Sequence, residues 1–188
     1  MKTKTFLASC AKATFALAAV VMMSAVLTSC SKDNDDDNNG FLPEAKPNTV
    51  VIDSKEKPIL SAVYDARSDN DYYIRLNLNA AGSEYVYFCL NSDVHLTGKP
   101  FDLTKKEPRH KGYAWYVGHI NSNGKYTFEG EGTPRQDSDP VFNTGTLTMS
   151  GKPEGTISIK LSNGRIVGKG DKKEHTITLR YAGKMDKR

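Results

Sequence analysis

The sequence predicts an all-β domain, either an antiparallel sandwich or a meander barrel of about eight to ten strands. No stretch after residue 40 repeats apolar residues with the 3.6-residue period of a helix. Apolar and polar residues instead alternate with a period of two in short segments bounded by Gly, Asn, Asp and Pro. Asn163-Gly164 between two such segments predicts a β-hairpin, because a type I′ turn needs positive φ at both central residues.

The clearest strand is predicted at residues 71–80. One face carries the apolar set Tyr72, Ile74, Leu76 and Leu78. The other face carries the polar and aromatic set Tyr73, Arg75, Asn77 and Asn79. We expect residues 84–91 to form the second strand of a hairpin with it, followed by strands at 113–120 and 125–131.

The C-terminal third is the most regular, with strands predicted at residues 145–149, 155–161, 165–169 and 175–181. A two-residue loop at Asn163-Gly164 would place Leu161 opposite Ile166 and Ile159 opposite Gly168. Weaker strand candidates lie at residues 50–52, 58–64 and 94–102.

Composition is that of a soluble globular chain. Of 188 residues, 38% are apolar and 26% charged, with a net charge of +4. The first 29 residues contribute three lysines and no acid, so residues 30–188 carry 23 basic and 22 acidic side chains, or +1. A nearly neutral domain gives no electrostatic argument for a nucleic-acid partner, and none is expected.

The first 29 residues are typical of a secretory signal peptide. A basic start at residues 1–12 precedes an apolar run at residues 13–27, broken only by Thr14 and Ser24. A cleaved signal core needs roughly 7–15 apolar residues and a membrane-spanning helix roughly 20, so the length favours cleavage over an anchor helix.

Leu27-Thr28-Ser29-Cys30 resembles the lipobox of bacterial lipoproteins. The resemblance implies that Cys30 is acylated and becomes the new N-terminus. Leu7-Ala8-Ser9-Cys10 matches the same short pattern, but only six residues precede it, too few for an apolar core. We therefore predict Cys30 as the lipidation site.

Residues 30–40 follow the lipobox as a tether. The run contains four Asp and three Asn and no apolar side chain beyond Cys30, so it has nothing to bury. A lysine followed by acids next to a lipidated cysteine resembles the surface-export signal of Bacteroidota lipoproteins. The resemblance implies a protein anchored in the outer membrane that faces the cell exterior, with residues 41–188 as its single all-β domain.

The domain itself loosely resembles small all-β lipoproteins of unknown function from gut Bacteroidota. Residues 98–104 and 177–181 carry this resemblance, which implies no activity.

The predicted hairpin gathers a candidate ligand-binding face. Flat aromatic rings next to planar amide and guanidinium donors suit a carbohydrate or peptide, because rings stack on apolar sugar faces and planar donors bind hydroxyls or carboxylates. The alternative is that these aromatics simply cover a sheet, as strands favour them. The candidate ligand-binding residues are Tyr73, Arg75, Asn77, Tyr85, Tyr87 and Trp115, the last sharing one side of its strand with Tyr113.

Other chemistry-bearing residues give weaker signals. Glu129 and Glu131 point the same way along one strand, but no apolar pocket is evident to raise one pKa for glycoside hydrolysis. Cys89 lies in an apolar run, where a small buried hydrophobe is the expected role. The histidines show no ligand motif, so any zinc site would have to be assembled by folding, and we predict no metal, cofactor or catalytic residue. These histidines are His95, His110, His119 and His175.

We expect a non-catalytic binding module for glycan or another extracellular polymer. One alternative is an interaction or assembly lipoprotein without a small ligand, whose partner is another surface protein. The other is a small hydrolase using Glu129, Glu131 or a histidine. A basic loop at residues 105–111 is either an anionic-ligand contact or a solvated loop.

Overall fold

Two six-stranded sheets share one apolar core in the computed structural model, which describes residues 40–133 and 140–188. The predicted signal peptide, Cys30 and all but the last residue of the tether lie outside the described residues. Within the described ranges, no helix has the length and apolar character needed to cross a membrane.

Twelve strands and one helical turn build the described part of the chain. In chain order they are β1 (Thr49–Ile52), β2 (Lys55–Pro58), β3 (Ser61–Ala66), β4 (Asp71–Asn77), β5 (Tyr85–Asn91), α1 (Ser92–His95), β6 (Thr97–Asp102), β7 (Tyr116–Ile120), β8 (Tyr126–Glu131), β9 (Thr144–Gly151), β10 (Ile157–Val167), β11 (Glu174–Gly183) and β12 (Asp186–Lys187). A short 3-10 turn, Ser68–Asn70, joins β3 to β4.

The first sheet has the order β2-β1-β11-β10-β9-β6, and the second has the order β12-β3-β4-β5-β7-β8. All pairs are antiparallel except β12, which runs parallel to β3. Neither sheet closes on itself, so the architecture is a sandwich and not a barrel. The all-β prediction is confirmed, and of the two architectures that it left open the structure is the sandwich.

Strict alternation sends one side of each central strand into the core. In β10, Ile157, Ile159 and Leu161 are buried while the lysine and serine between them are exposed. In the second sheet, Ile74 and Leu76 of β4 meet Val86 and Phe88 of β5 in direct register. Burying such side chains contributes about 1.5–3 kcal/mol each, which makes this pattern the main determinant of the fold.

The predicted hairpin at Asn163-Gly164 is wrong. Residues 157–167 form a single strand, β10, which pairs with β9 on one side and β11 on the other. Both pairings shift register at these two residues, so Asn163-Gly164 is a β-bulge. Only Asn163 adopts positive φ (52°), whereas a type I′ turn needs two such residues. The apolar stripe of β10 therefore runs through the bulge, with Leu161 opposite Leu147 and Leu179.

Two weaker strand predictions were only partly right. Residues 58–64 are not one strand, because β2 ends at Pro58 in the first sheet and β3 begins at Ser61 in the second. Residues 94–102 begin inside the helical turn α1, and only Thr97–Asp102 is a strand. Asn91 starts that turn, since its side-chain oxygen accepts a hydrogen bond from the Asp93 amide at 3.1 Å.

Trp115 lies in the core, so its assignment to the ligand-binding face is wrong. Its side chain is 1% exposed, and its ring packs on Phe142 with centroids 6.2 Å apart. Strand β7 begins one residue later, at Tyr116, so Tyr113 and Trp115 are not strand neighbours on one face. Gly132 leaves room for the indole, because a Cβ there would come within 2.3 Å of Nε1.

The burial of Trp115 predicts a specific fluorescence signal, since it is the only tryptophan in the chain. The full chain, purified in detergent, should emit at a blue-shifted maximum and resist quenching by acrylamide. Unfolding in urea should shift the emission to the red and make it readily quenched. A red-shifted, easily quenched signal from the folded chain would contradict the placement of Trp115 in the core.

Candidate binding surface

Four tyrosines form a continuous row on the outer face of the second sheet, which we call the tyrosine strip: Tyr73 of β4, Tyr85 and Tyr87 of β5, and Tyr126 of β8. Tyr73 and Tyr87 stack with ring centroids 5.8 Å apart. Tyr85 and Tyr126 each approach Tyr87 edge-on, at 6.3 and 6.4 Å. These are the offset and edge arrangements that aromatic pairs prefer, so the rings hold one another in place.

Tyr87 is the support of this strip. It lies opposite Gly118 of β7, and a Cβ on that glycine would come within 2.4 Å of the tyrosine ring. The ring therefore covers the glycine backbone, and its hydroxyl reaches across to donate a hydrogen bond to Glu129. Because Tyr87 is only 5% exposed, it orients the other rings more than it offers a surface of its own.

Arg75 lies against the strip with its guanidinium carbon 3.7 Å from the centre of the Tyr85 ring. Its Nη2 donates a hydrogen bond of 2.6 Å to the carbonyl of Gly82, which fixes the side chain over the ring. The neighbouring Asn77 is buried and donates to Ser61 Oγ at 2.9 Å. Arg75 thus belongs to the surface, whereas Asn77 braces β3 and β4 beneath it.

Tyr126 is the most exposed ring of the strip, at 62%. It also borders a cavity of about 340 Å³ lined by Tyr126, Thr127, Phe128, Glu129, Lys169 and Gly170. At this cavity the Lys169 ammonium lies 3.8 Å from the Glu129 carboxylate. The strip therefore ends in a concave site with both charge signs, and its volume falls within the range of about 300–1,000 Å³ of ligand pockets.

The place of Tyr126 depends on a register shift between β7 and β8. Alternation from the buried Phe128 alone would put Tyr126 on the core face. The shift lies between His119 and Ile120, and it pairs Tyr126 with Ile120, whose other partner is Tyr85 on the outer face. Sequence reasoning missed Tyr126 for this reason, because no residue signals the bulge, and it missed Lys169 because that residue lies in the connection between β10 and β11.

The two carboxylates considered for hydrolysis share the outer face of β8 but have different surroundings. Glu129 accepts the Tyr87 hydroxyl and faces Lys169. Glu131 is 7% exposed and lies opposite Tyr116. Cys89 is also on this face, and burial raises the pKa of its thiol to about 11, so it stays protonated at neutral pH.

Folding places all four histidines near carboxylates. His175 Nδ1 lies 2.9 Å from Asp53, and its Nε2 lies 3.2 Å from Asp171. Burial lowers the pKa of His175, but these two carboxylates outweigh burial and leave that pKa raised. His95 and His110 both meet Glu107, and these three side chains form the one group among the described residues with metal-ligand spacing.

His119 differs from the other three. It is 4% exposed, and its Nε2 lies 3.4 Å from Glu84 Oε1 without hydrogen-bond geometry. Burial lowers its pKa, so the ring is neutral at physiological pH. Its ring packs on Phe128 at 5.8 Å, which makes it part of the core.

No protein-family model, curated protein or solved structure matches this chain.

The close contact between Tyr87 and Gly118 predicts that Gly118→Ala destabilises the domain. The added methyl group would displace the Tyr87 ring, at a cost of about 1–3 kcal/mol in the free energy of unfolding. Gly155→Ala is the matched control, because the nearest atom to its Cβ would be a carbonyl oxygen 3.9 Å away. Urea unfolding of the control should differ from the unmodified chain by no more than about 0.5 kcal/mol.

A double-mutant cycle separates this contact from a general effect of the substitution. In a Tyr87→Ala background no ring lies over residue 118, so Gly118→Ala should cost much less there. Equal costs in the two backgrounds would show that Tyr87 does not cover Gly118.

Proposed function

We propose that this chain is an outer-membrane-anchored, surface-exposed lipoprotein that binds glycan, or a similar extracellular polymer, without catalysis. The observation that carries the proposal is the tyrosine strip, which continues from Tyr73 to the exposed ring of Tyr126 and ends at the cavity beside Glu129 and Lys169.

A carbohydrate ligand suits this arrangement better than an apolar ligand does. The exposed face of Tyr126 and the half-buried faces of Tyr73 and Tyr85 offer flat apolar surfaces, on which the C–H faces of sugar rings stack. The Glu129 carboxylate and the Lys169 ammonium at the end of the strip accept from and donate to hydroxyl groups. A row of rings open along the sheet also suits a linear chain of sugars.

The surroundings of the reactive groups support binding in preference to catalysis. A glycosidase acid needs a raised pKa, which an apolar pocket supplies. Glu129 instead accepts a hydrogen bond from Tyr87 and faces Lys169, so its surroundings are polar and not an apolar pocket. The protonated Cys89 thiol is a poor nucleophile.

The anchoring half of the proposal rests on the N-terminal sequence alone. The apolar run at residues 13–27, Cys30 and the acidic residues after it together suit export, acylation and a flexible link. A site for polymers outside the cell needs such a placement.

The strip predicts which substitutions weaken glycan binding. We expect Tyr126→Ala and Tyr85→Ala each to weaken binding about tenfold, since each removes a stacking contact of about 1–1.5 kcal/mol. The full chain in detergent would be run by affinity electrophoresis through gels containing β-glucan, xylan, α-mannan or mucin glycans. Retardation by at least one of these polymers should be reduced in both variants.

Tyr113→Ala is the matched control for these variants. Tyr113 is 39% exposed but does not belong to the strip, so retardation should be unchanged. Equal retardation of all three variants and the unmodified chain would show that the glycan site lies outside the tyrosine strip. Retardation by none of the polymers would contradict glycan binding and favour the assembly alternative, which chemical crosslinking on intact cells would then test.

Substitution of each of the two cysteines that precede the domain should affect membrane anchoring differently. Cys30→Ser should release the protein into the soluble fraction, because the thiol that carries the lipid is lost. Cys10→Ser should leave it in the outer membrane, since the same short pattern there lacks a preceding apolar core. Cell fractionation and protease treatment of intact cells measure where each of the two variants is located. Membrane retention of the Cys30→Ser protein would contradict the lipid anchor.

A further inference from the structure

Three side chains with metal-ligating atoms meet at one end of the sandwich, and we call them the His-Glu-His cluster: His95, Glu107 and His110. His95 ends α1, while Glu107 and His110 lie in the loop between β6 and β7. His95 Nε2 is 2.6 Å from Glu107 Oε1, and His110 Nε2 is 3.1 Å from Glu107 Oε2. The basic loop of the sequence is therefore not simply solvated, because its one carboxylate binds two histidines.

The surroundings of His110 require a cation between it and Glu107. Its Nδ1 lies 2.9 Å from the carbonyl oxygen of Lys111, which only accepts, so Nδ1 carries a hydrogen. The remaining nitrogen, Nε2, then presents a lone pair to a carboxylate oxygen, which also only accepts. Either a second proton or a metal ion must lie between these two atoms.

His95 has the same backbone support. Its Nδ1 lies 2.8 Å from the carbonyl oxygen of Asn91. A metal-bound histidine typically donates its other ring N–H to such a carbonyl, which fixes the ring orientation. The Asn91 amide, 2.9 Å from the same nitrogen, supports the alternative tautomer when no metal is bound. Both tautomers direct Nε2 towards Glu107.

Two contacts with backbone groups also hold Glu107 in place. Its amide donates to the Gly132 carbonyl at 2.9 Å, and Oε2 accepts from the Trp115 amide at 3.2 Å. These contacts and those with the two histidines orient the carboxylate before any ligand arrives.

We propose that the His-Glu-His cluster binds one divalent transition-metal ion of the zinc class through His95 Nε2, the Glu107 carboxylate and His110 Nε2. Two imidazoles and one carboxylate suit Zn²⁺, whereas Ca²⁺ and Mg²⁺ prefer oxygen ligands alone. The ligand atoms lie within 4.8 Å of one another. Tetrahedral bonds of about 2.1 Å separate ligand atoms by about 3.4 Å, so the 2.6 Å between His95 Nε2 and Glu107 Oε1 needs to open by less than about 1 Å.

The three protein ligands leave a fourth position for water. His95 is fully buried, but the His110 side chain is 20% exposed and lines a cavity of about 270 Å³. Tyr113, Tyr116 and Thr133 line the same cavity. Solvent therefore reaches the cluster from the side of His110, which suits a three-ligand site with one open position.

Metal binding to the full chain in detergent tests this proposal. After treatment with a chelator, the chain should take up one Zn²⁺ in equilibrium dialysis at about pH 7.5, where free histidines are neutral. Co²⁺ should give the intense visible absorption of a four-coordinate ion and quench Trp115, whose amide contacts Glu107. His110→Ala should weaken Zn²⁺ binding at least about 100-fold, the upper end of what loss of an outer-shell partner costs.

His175→Gln is the matched control, because His175 also contacts two carboxylates but lies outside the cluster. This variant should bind Zn²⁺ as the unmodified chain does. Equal Zn²⁺ binding by the unmodified and His110→Ala chains, or binding by neither, would overturn the proposal. Trp115 emission establishes that each variant is folded.

A second measurement needs no variant. Diethyl pyrocarbonate acylates accessible imidazoles through the neutral form, which a protonated ring reaches by releasing its proton, and mass spectrometry locates the product. One equivalent of Zn²⁺ should protect His110 from this reagent, since the metal occupies Nε2. Modification of His110 at the same rate with and without Zn²⁺ would contradict metal binding at the cluster.

Discussion

The antiparallel pairing of β4 with β5 is the constraint on which the candidate surface depends. Seven residue pairs hold the two strands in register, from Asp71 opposite Asn91 to Asn77 opposite Tyr85. Because successive side chains of a strand point to opposite faces, burial of Ile74 and Phe88 in the core forces Tyr73, Arg75 and Tyr87 onto the outer face. A slip of one residue would exchange the two sets and expose the core. The tyrosine strip is therefore fixed by the same energetics that stabilise the sandwich.

Strand β5 also connects the strip to the His-Glu-His cluster. Its outward tyrosines support the strip, and its last residue, Asn91, begins α1 and lies against His95. The opposite wall of the cluster is tied to the ends of β7 and β8, through the contacts of Glu107 with Trp115 and Gly132. Both candidate sites are thus held by backbone elements of the second sheet, which gives their side chains fixed positions before any ligand binds.

Period-two alternation was sufficient to predict the fold class and the face shared by Tyr73, Arg75, Tyr85 and Tyr87. It failed where the backbone departs from regular pairing. Asn163-Gly164 has the composition of a turn but forms a bulge, since long apolar partners on both sides keep β10 continuous. A second register shift brings Tyr126 to the strip, and Trp115 precedes the strand to which alternation assigned it. The cluster joins residues up to 15 positions apart, as His95 and His110 are, through loop geometry that no local pattern encodes.

We propose that glycan binds on the outer face of the second sheet, along the tyrosine strip. Solution NMR of the full chain in detergent, with ¹³C in the rings of its nine tyrosines, tests this most directly. Titration with the polymer that retards the chain, cut to oligosaccharides, should shift the ring signals of Tyr85 and Tyr126 first. The signals of Tyr64 and Tyr181, which are buried in the core, should stay in place. Shifts confined to tyrosines outside the strip, such as Tyr113, would contradict the account.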